Sequence, residues 1–130
     1  GLPGESRETV LRTIDYLNRL PIQGVKLQLL HVLSDSDLAD LYRAGEYTPL
    51  EKEEYLTLVG DCIAHLRADI VLHRLTGDGD KNTLLAPLWS LRKRDVLNHL
   101  HRYLKENHIR QGMSCKIDLS VIYNKPKDVL

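Results

Sequence analysis

Two stretches of this chain place ionisable and amide side chains where ligand chemistry usually gathers. Lys26, Gln28 and His31 lie along and just beyond an apolar run, and His73-Arg74 closes a second one. Directly after the second run the chain turns polar and glycine-rich, as Thr76-Gly77-Asp78-Gly79-Asp80. Strand exits are where α/β folds collect substrate-contacting groups. A lysine, an arginine, an amide and two histidines there could hold a small anion or contact a substrate or cofactor. The opening Gly1-Leu2-Pro3-Gly4-Glu5 is a turn that runs straight into a helical pattern. It reads as the mouth of a barrel strand lying upstream, with glycine allowing close backbone approach to a ligand.

Each of these residues also has a plain structural reading. His31 and His73 can equally be hydrogen-bonded structural residues closing their strands. In a barrel, Lys26 and Gln28 point into the lumen, where a lysine needs a partner or a task. In an antiparallel sheet with one wet face, the same alternation means only solvent exposure. Asp78-Gly79-Asp80-Lys81-Asn82 suggests a calcium loop, but Thr83 stands where glycine is needed and Trp89 where glutamate is needed. His99 and His101, two apart on a helix, diverge. Cys62 lies on an apolar helical face, Cys115 stands far from it, and the sequence shows no metal-binding cysteine set.

The elements that must position these groups follow from periodicity. Val10, Leu11, Ile14 and Leu17 predict a helix over about Ser6–Leu20, stopped by Pro21. In the run Val25–Leu30, Val25, Leu27 and Leu29 share one face while Lys26, Gln28 and Leu30 share the other. Ser34 caps a short helix closed by Gly45. Thr48-Pro49-Leu50-Glu51 starts the next helix, with Thr48 at the N-cap and Tyr55, Leu58, Val59, Cys62 and Leu66 inward. Asp69–Leu75 predicts a second strand, its Ile70-Val71-Leu72 too apolar to be exposed. Leu84–Ser90 is an apolar loop that walls a pocket or seals the helix layer. Ser90 caps a last helix to about His108, and Lys93 and Arg94 in its first turns oppose the helix dipole. The tail alternates through Ile117, Leu119, Val121 and Tyr123 as a strand ended by Lys125-Pro126-Lys127. The fold class is therefore α/β: helices alternate with parallel strands in a partial β/α (TIM-like) barrel, plus a C-terminal strand. Residues 1–112 form the barrel portion and residues 113–130 the tail.

Composition sets broad bounds. The 130 residues are 42% hydrophobic and 28% charged, with 18 basic and 18 acidic residues, an ordinary globular balance. No global field recruits a polyanion or a membrane, and no apolar run is long enough to span one. A cytoplasmic protein fits best.

Five stretches in series resemble the radical S-adenosylmethionine enzymes, more narrowly the YhcC/YtqA-type iron–sulfur oxidoreductases related to oxygen-independent coproporphyrinogen oxidase. They are Gly1–Glu5, Leu17–Pro21, Gly24–Leu33, His73–Asp78 and Ala86–Leu91, and they cover the chain to about Gly112. The resemblance implies a 4Fe–4S cluster that binds S-adenosylmethionine and generates a 5′-deoxyadenosyl radical. It implies a transfer RNA substrate, modified at a wobble uridine side chain, and an electron donor such as flavodoxin or ferredoxin. The cluster-binding cysteines of that family lie upstream of everything present, so these 130 residues alone are expected to bind no cluster and to be inactive. Gly1, Leu2, Pro3 and Gly4 would lie beside the cofactor's nucleoside. Lys26, Gln28, His31, His73 and Arg74 are the expected substrate contacts, chosen by their place at strand ends. The strands, lacking neighbours on one side, are expected to self-associate or to be covered by the Ile117–Tyr123 strand. The competing reading is a non-catalytic α/β module that binds a small anion.

Overall fold

The computed structural model describes residues 1–123. Helix α1 (Arg7–Asn18) starts at a reciprocal cap: the Ser6 hydroxyl accepts from Thr9 N–H at 3.2 Å and Thr9 Oγ1 from Ser6 N–H at 2.9 Å. It ends two residues before the expected Leu20, because Pro21 disfavours helical geometry in the residue ahead of it. Strands β1 (Gly24–Lys26) and β2 (Val32–Leu33), helices α2 (Asp37–Arg43) and α3 (Lys52–His65), and strand β3 (Val71–Arg74) follow. Strand β4 (Leu84–Ala86), a 3-10 turn over Leu88–Leu91, α4 (Lys93–Glu106) and a short α5 (Ser120–Tyr123) complete the described order.

Strands β1 and β3 pair in parallel with Gly24 opposite Val71 and Val25 opposite Leu72, as the helix–strand alternation predicted. The ladder extends one step on each side, through Val71 N–H to the Gln23 carbonyl and Leu27 N–H to the Arg74 carbonyl. A second, antiparallel pair joins β2 to β4. Sequence reading missed it, because β2 is two residues long and β4 was taken as apolar loop.

Helix α3 is central. Val59 and Ile63 meet Val96 and Leu100 of α4 together with Leu29, while Cys62 and Leu66 pack with Ile14 of α1 and with Ile70. The close approach of α3 and α4 requires Gly60, since a Cβ there would lie 2.7 Å from the Tyr103 ring. Cys62 is buried, and burial pushes its thiol up to about 11.

Several helix starts move, each for a local reason. Ser34 does not cap α2, because its N–H extends the β2–β4 ladder to the Thr83 carbonyl at 2.8 Å; Ser36 precedes the helix instead. Helix α3 starts at Lys52, with Glu51 as cap, because the Leu50 carbonyl is taken by Trp89 Nε1–H at 3.1 Å. Ser90 sits in the 3-10 turn, where its hydroxyl donates to the Pro87 carbonyl, so it does not cap α4. Ile70 is buried as expected, but Val71 is 55% exposed, because helices cover only one face of the β1–β3 pair.

The strand expected over Ile117–Tyr123 is absent. Backbone N–H groups of Gly112 and Ser114 instead donate to the Ile63 and Ala64 carbonyls at the end of α3, and Ser120–Tyr123 is helical. The Tyr123 hydroxyl donates to Asp69 Oδ2 at 2.8 Å, so this segment docks beside the start of β3 and does not cover a sheet edge. Lys125–Lys127 lies outside the described residues. Among those described, no helix is long and apolar enough to cross a membrane.

Arg67, 2% exposed, is the most heavily bonded buried side chain. Its Nη1 donates to the Asn18 and Leu20 carbonyls at 2.8 and 3.2 Å, and Nη2 to the Ile22 carbonyl at 3.1 Å. Its Nε meets Asp69 Oδ1 at 2.6 Å. Asn18 completes the knot, accepting from Arg67 N–H and donating to the His65 carbonyl, both at 2.8 Å. Removing one member of a buried charged network leaves its partners unpaired and typically costs about 3–5 kcal/mol. Arg67→Leu should therefore lower the unfolding free energy by about that much, whereas exposed Arg102→Leu should stay within about 0.5 kcal/mol. Urea denaturation of both variants checks this; equal midpoints would refute the clamp.

Candidate functional site

The predicted alternation holds along β1. Leu29 is buried, Val25 and Leu27 pack against the two cores, and Lys26 and Gln28 are exposed. His73 and Val71 are exposed as well, giving the β1–β3 pair an uncovered face that carries Lys26, Gln28 and His73. His73 folds back toward the start of β1, where a Cβ on Gly24 would lie 2.4 Å from its Nε2. It therefore stands away from the strand exits, where sequence reading had placed it.

At the exits the chain gathers His31, Gln28, Arg74 and the Gly77–Gly79 loop. The His31 imidazole lies flush against two glycines: a Cβ on Gly77 would be 2.6 Å from its Cε1 and one on Gly79 3.5 Å from its Cγ. Gln28 Cγ borders the same Gly77 position at 3.3 Å. The His31 Nε2 is shut off from solvent and has no hydrogen-bond partner among the described residues. Burial holds the His31 pKa below its ordinary value, opposed by the nearby Asp78 charge. Asp78 itself accepts from Lys93 Nζ at 2.7 Å and faces Arg74 Nη2 at 3.7 Å. Those two cations hold its carboxyl below the usual range, the Lys93 hydrogen bond most strongly. Sequence reading singled out Lys93 only as a charge opposing the helix dipole. Asp78 is the group it answers to, and the abrupt polar turn after Leu75 was the available signal.

Gly1 and Leu2 share a cavity of about 460 Å³ with Lys26 and Gln28, walled by α1 and α3 through residues such as Ile14 and Val59. The Gly1 carbonyl accepts from the Tyr47 hydroxyl at 2.7 Å, and Leu2 N–H donates to Glu5. Pro3 is exposed, and Gly4 turns at φ +73° with open space around it, so a backbone approach there is unobstructed. His31, His73 and Arg74 do not line this cavity. The five expected substrate contacts thus divide among the open face, the cavity and the strand exits.

An iron–sulfur cluster does not fit the residues present. Cys62 is buried with a raised pKa, and Cys115 accepts from Asn18 Nδ2 at 3.6 Å beside the Arg67 knot. Among the described residues no three His, Cys, Asp or Glu side chains are grouped as metal ligands would be. The calcium reading of Asp78–Asn82 fails on the same ground, with Asp78 beside Lys93 and Arg74 and Asp80 accepting from Asn82 N–H.

The desolvated imidazole gives a signed expectation. In the unfolded chain His31 takes up a proton near its ordinary 6.5, while in the fold burial keeps it neutral to lower pH. Its contribution is thus complete above 6.5 and is lost as the pH falls toward the folded value. Stability measured by denaturation should drop on acidification from about pH 7 to 5, and His31→Gln should lessen that drop. An unchanged slope would show that His31 titrates as freely folded as unfolded.

Comparison with known proteins places this geometry. The model of the Radical_SAM C-terminal domain matches residues 22–106, which include both parallel strands and their exits. The uncharacterized protein YtqA of Bacillus subtilis is 32% identical over 112 residues, covering 86% of this chain and 35% of its own length. Protein YhcC of Escherichia coli is 33% identical over 110 residues, covering 85% and 36%. The chain thus spans about a third of the length of these relatives. The solved structure of the archaeal Elp3 of Methanocaldococcus infernus superposes with a TM-score of 0.67 over 85% of this chain and 26% of that one. At 15% identity, this likeness speaks for the fold. With more than half of its residues inside the family model, the chain belongs to the radical SAM C-terminal domain family.

Proposed function

We propose that this chain serves as the C-terminal part of the catalytic barrel of a longer radical S-adenosylmethionine enzyme. The observation that carries the reading is that the family match falls over β1, β3 and the loops at their exits. In such barrels the exits of the strands are where substrates are bound. The chain's own contribution is then binding and positioning. Lys26, Gln28 and His73 present polar groups from the uncovered face. Arg74 brings a cation to the exits, Gly1 and Leu2 border the cavity, and Gly4 beyond them has open space around it. S-adenosylmethionine and a 4Fe–4S cluster are the proposed cofactors of the longer protein, with the cluster held by cysteines upstream of Gly1.

The proposed substrate is a transfer RNA base with an anionic side chain, and the proposed electron donor a flavodoxin or ferredoxin. The cationic and amide character of the exits supports this substrate, because it suits an anionic group. A cytoplasmic location accompanies this reading.

The experiment compares two proteins after anaerobic reconstitution with iron and sulfide. The longer reading frame should gain an absorption band near about 400 nm, and the 130-residue chain should not. A colourless longer protein would sink the reading. In that protein Lys26→Ala and His73→Ala should each lower turnover by about tenfold or more without loss of fold, since both side chains are exposed. Full activity in both would remove them from the site. The outer edge of β1, which pairs with no further strand among the described residues, adds a separate expectation for the isolated chain. Its sedimentation coefficient should rise with concentration as copies associate; a monomer throughout would show that the edge seeks no partner.

A further inference from the structure

The charged cluster at the strand exits is joined in a way the fold does not require. Arg74 closes β3 and Lys93 opens α4, and both approach one carboxylate, that of Asp78. Two cations on one anion leave surplus positive charge. All three side chains are well exposed: Arg74 by 37%, Lys93 by 47% and Asp78 by 56%. Ion pairs this exposed contribute little to stability. Asp78 is therefore lightly held in a seat that would suit another anion.

The same loop covers an unmet need. Asp78 lies between Gly77 and Gly79, whose backbones press on the His31 ring. The ring's Nε2 is cut off from water and bonds to nothing among the described residues. A buried polar nitrogen without a partner carries a standing cost. The Asp78 carboxylate that joins these glycines also acts on the same ring through its charge.

We propose that Asp78 is a built-in placeholder for the anionic oxygen group of a small ligand, whose carboxylate or phosphate takes the Arg74–Lys93 seat while His31 Nε2 gains a hydrogen-bond partner from the same ligand. The exchange is non-covalent and keeps both cations paired. A phosphate carries charge enough for both. The inference does not rest on the radical-enzyme reading, and its test needs no cluster.

The test uses the 130-residue chain, isotopically labelled, titrated separately with inorganic phosphate and with acetate at constant ionic strength. The expected result is saturable change at the Gly77 and Gly79 amides, the Arg74 guanidinium and the His31 ring nitrogens. Asp78→Asn, which frees the seat, should bind the probe about tenfold tighter, and Arg74→Gln or Lys93→Gln about tenfold more weakly. These side chains are exposed, so the variants test the seat without threatening the fold. Saturation by either probe supports the proposal, and the stronger of the two names the ligand's anionic group. No saturable change with either probe would overturn it, as would an Asp78→Asn variant that binds no tighter than the parent.

Discussion

One buried guanidinium sets the frame on which the rest of the molecule depends. Arg67 lies four residues before β3, and its donors take up carbonyls of Asn18, Leu20 and Ile22 in the connection that leads into β1. The starts of the two parallel strands are thereby tied at one point, although more than forty residues separate them in sequence. Parallel strands cannot be set by a tight turn, so their register needs a constraint of this kind. Burying an arginine is tolerable here because backbone carbonyls and Asp69 take up its nitrogens. Tyr123 adds a face, its ring 5.8 Å from the Arg67 guanidinium carbon.

The molecule is consequently uneven from end to end. At the strand starts, polar groups are paired: Asn18, Arg67, Gln111 and Asp69 each meet partners at 2.6 to 2.9 Å. At the exits, one buried nitrogen has no partner among the described residues and a carboxylate is shared between two cations. Such asymmetry is expected where one end of a barrel-like fold supplies stability and the other supplies contacts. The glycine-rich exit loop fits the second task, since at Gly77 a Cβ would lie 2.6 Å from the His31 ring, which a side chain there would displace.

Periodicity made the helices, the parallel pair and the two-faced character of β1 readable, because each rests on a repeating choice between water and core. What it could not show were interactions that depend on a single distant partner. Arg67 gives no signal in the sequence, since nothing in its neighbourhood distinguishes a buried arginine from a solvated one. Helix starts were misplaced at Ser34, Thr48 and Ser90 because a capping residue only competes for its role. The β2–β4 ladder and the Trp89–Leu50 bond took those backbone groups first. The tail failed because its alternation suits a strand, but the amides of Val121, Ile122 and Tyr123 bond locally to the Asp118 and Leu119 carbonyls. Of the site residues, Lys26 and Gln28 were legible from parity alone. His73 does lie near the end of β3, but sequence does not show that Gly24 leaves room for its ring to lean back.

The uncovered face of the β1–β3 pair then follows from where the stabilising contacts lie. Parallel sheets are ordinarily buried on both faces, and a two-stranded one has little stability of its own. In this chain the burial that matters is on one side, where α3 packs between α1 and α4 and receives Leu29, Val25 and Leu27 from the strand region. With Arg67 fixing the strand starts and α3 holding the covered face, neither Lys26 nor Val71 on the other face is needed to hold the strands in place. A face released from structural duty can carry a lysine, an amide and a histidine with little penalty. The side chains most exposed on this sheet are therefore the ones most open to selection for binding, whether what meets them is a ligand or further strands of the same protein.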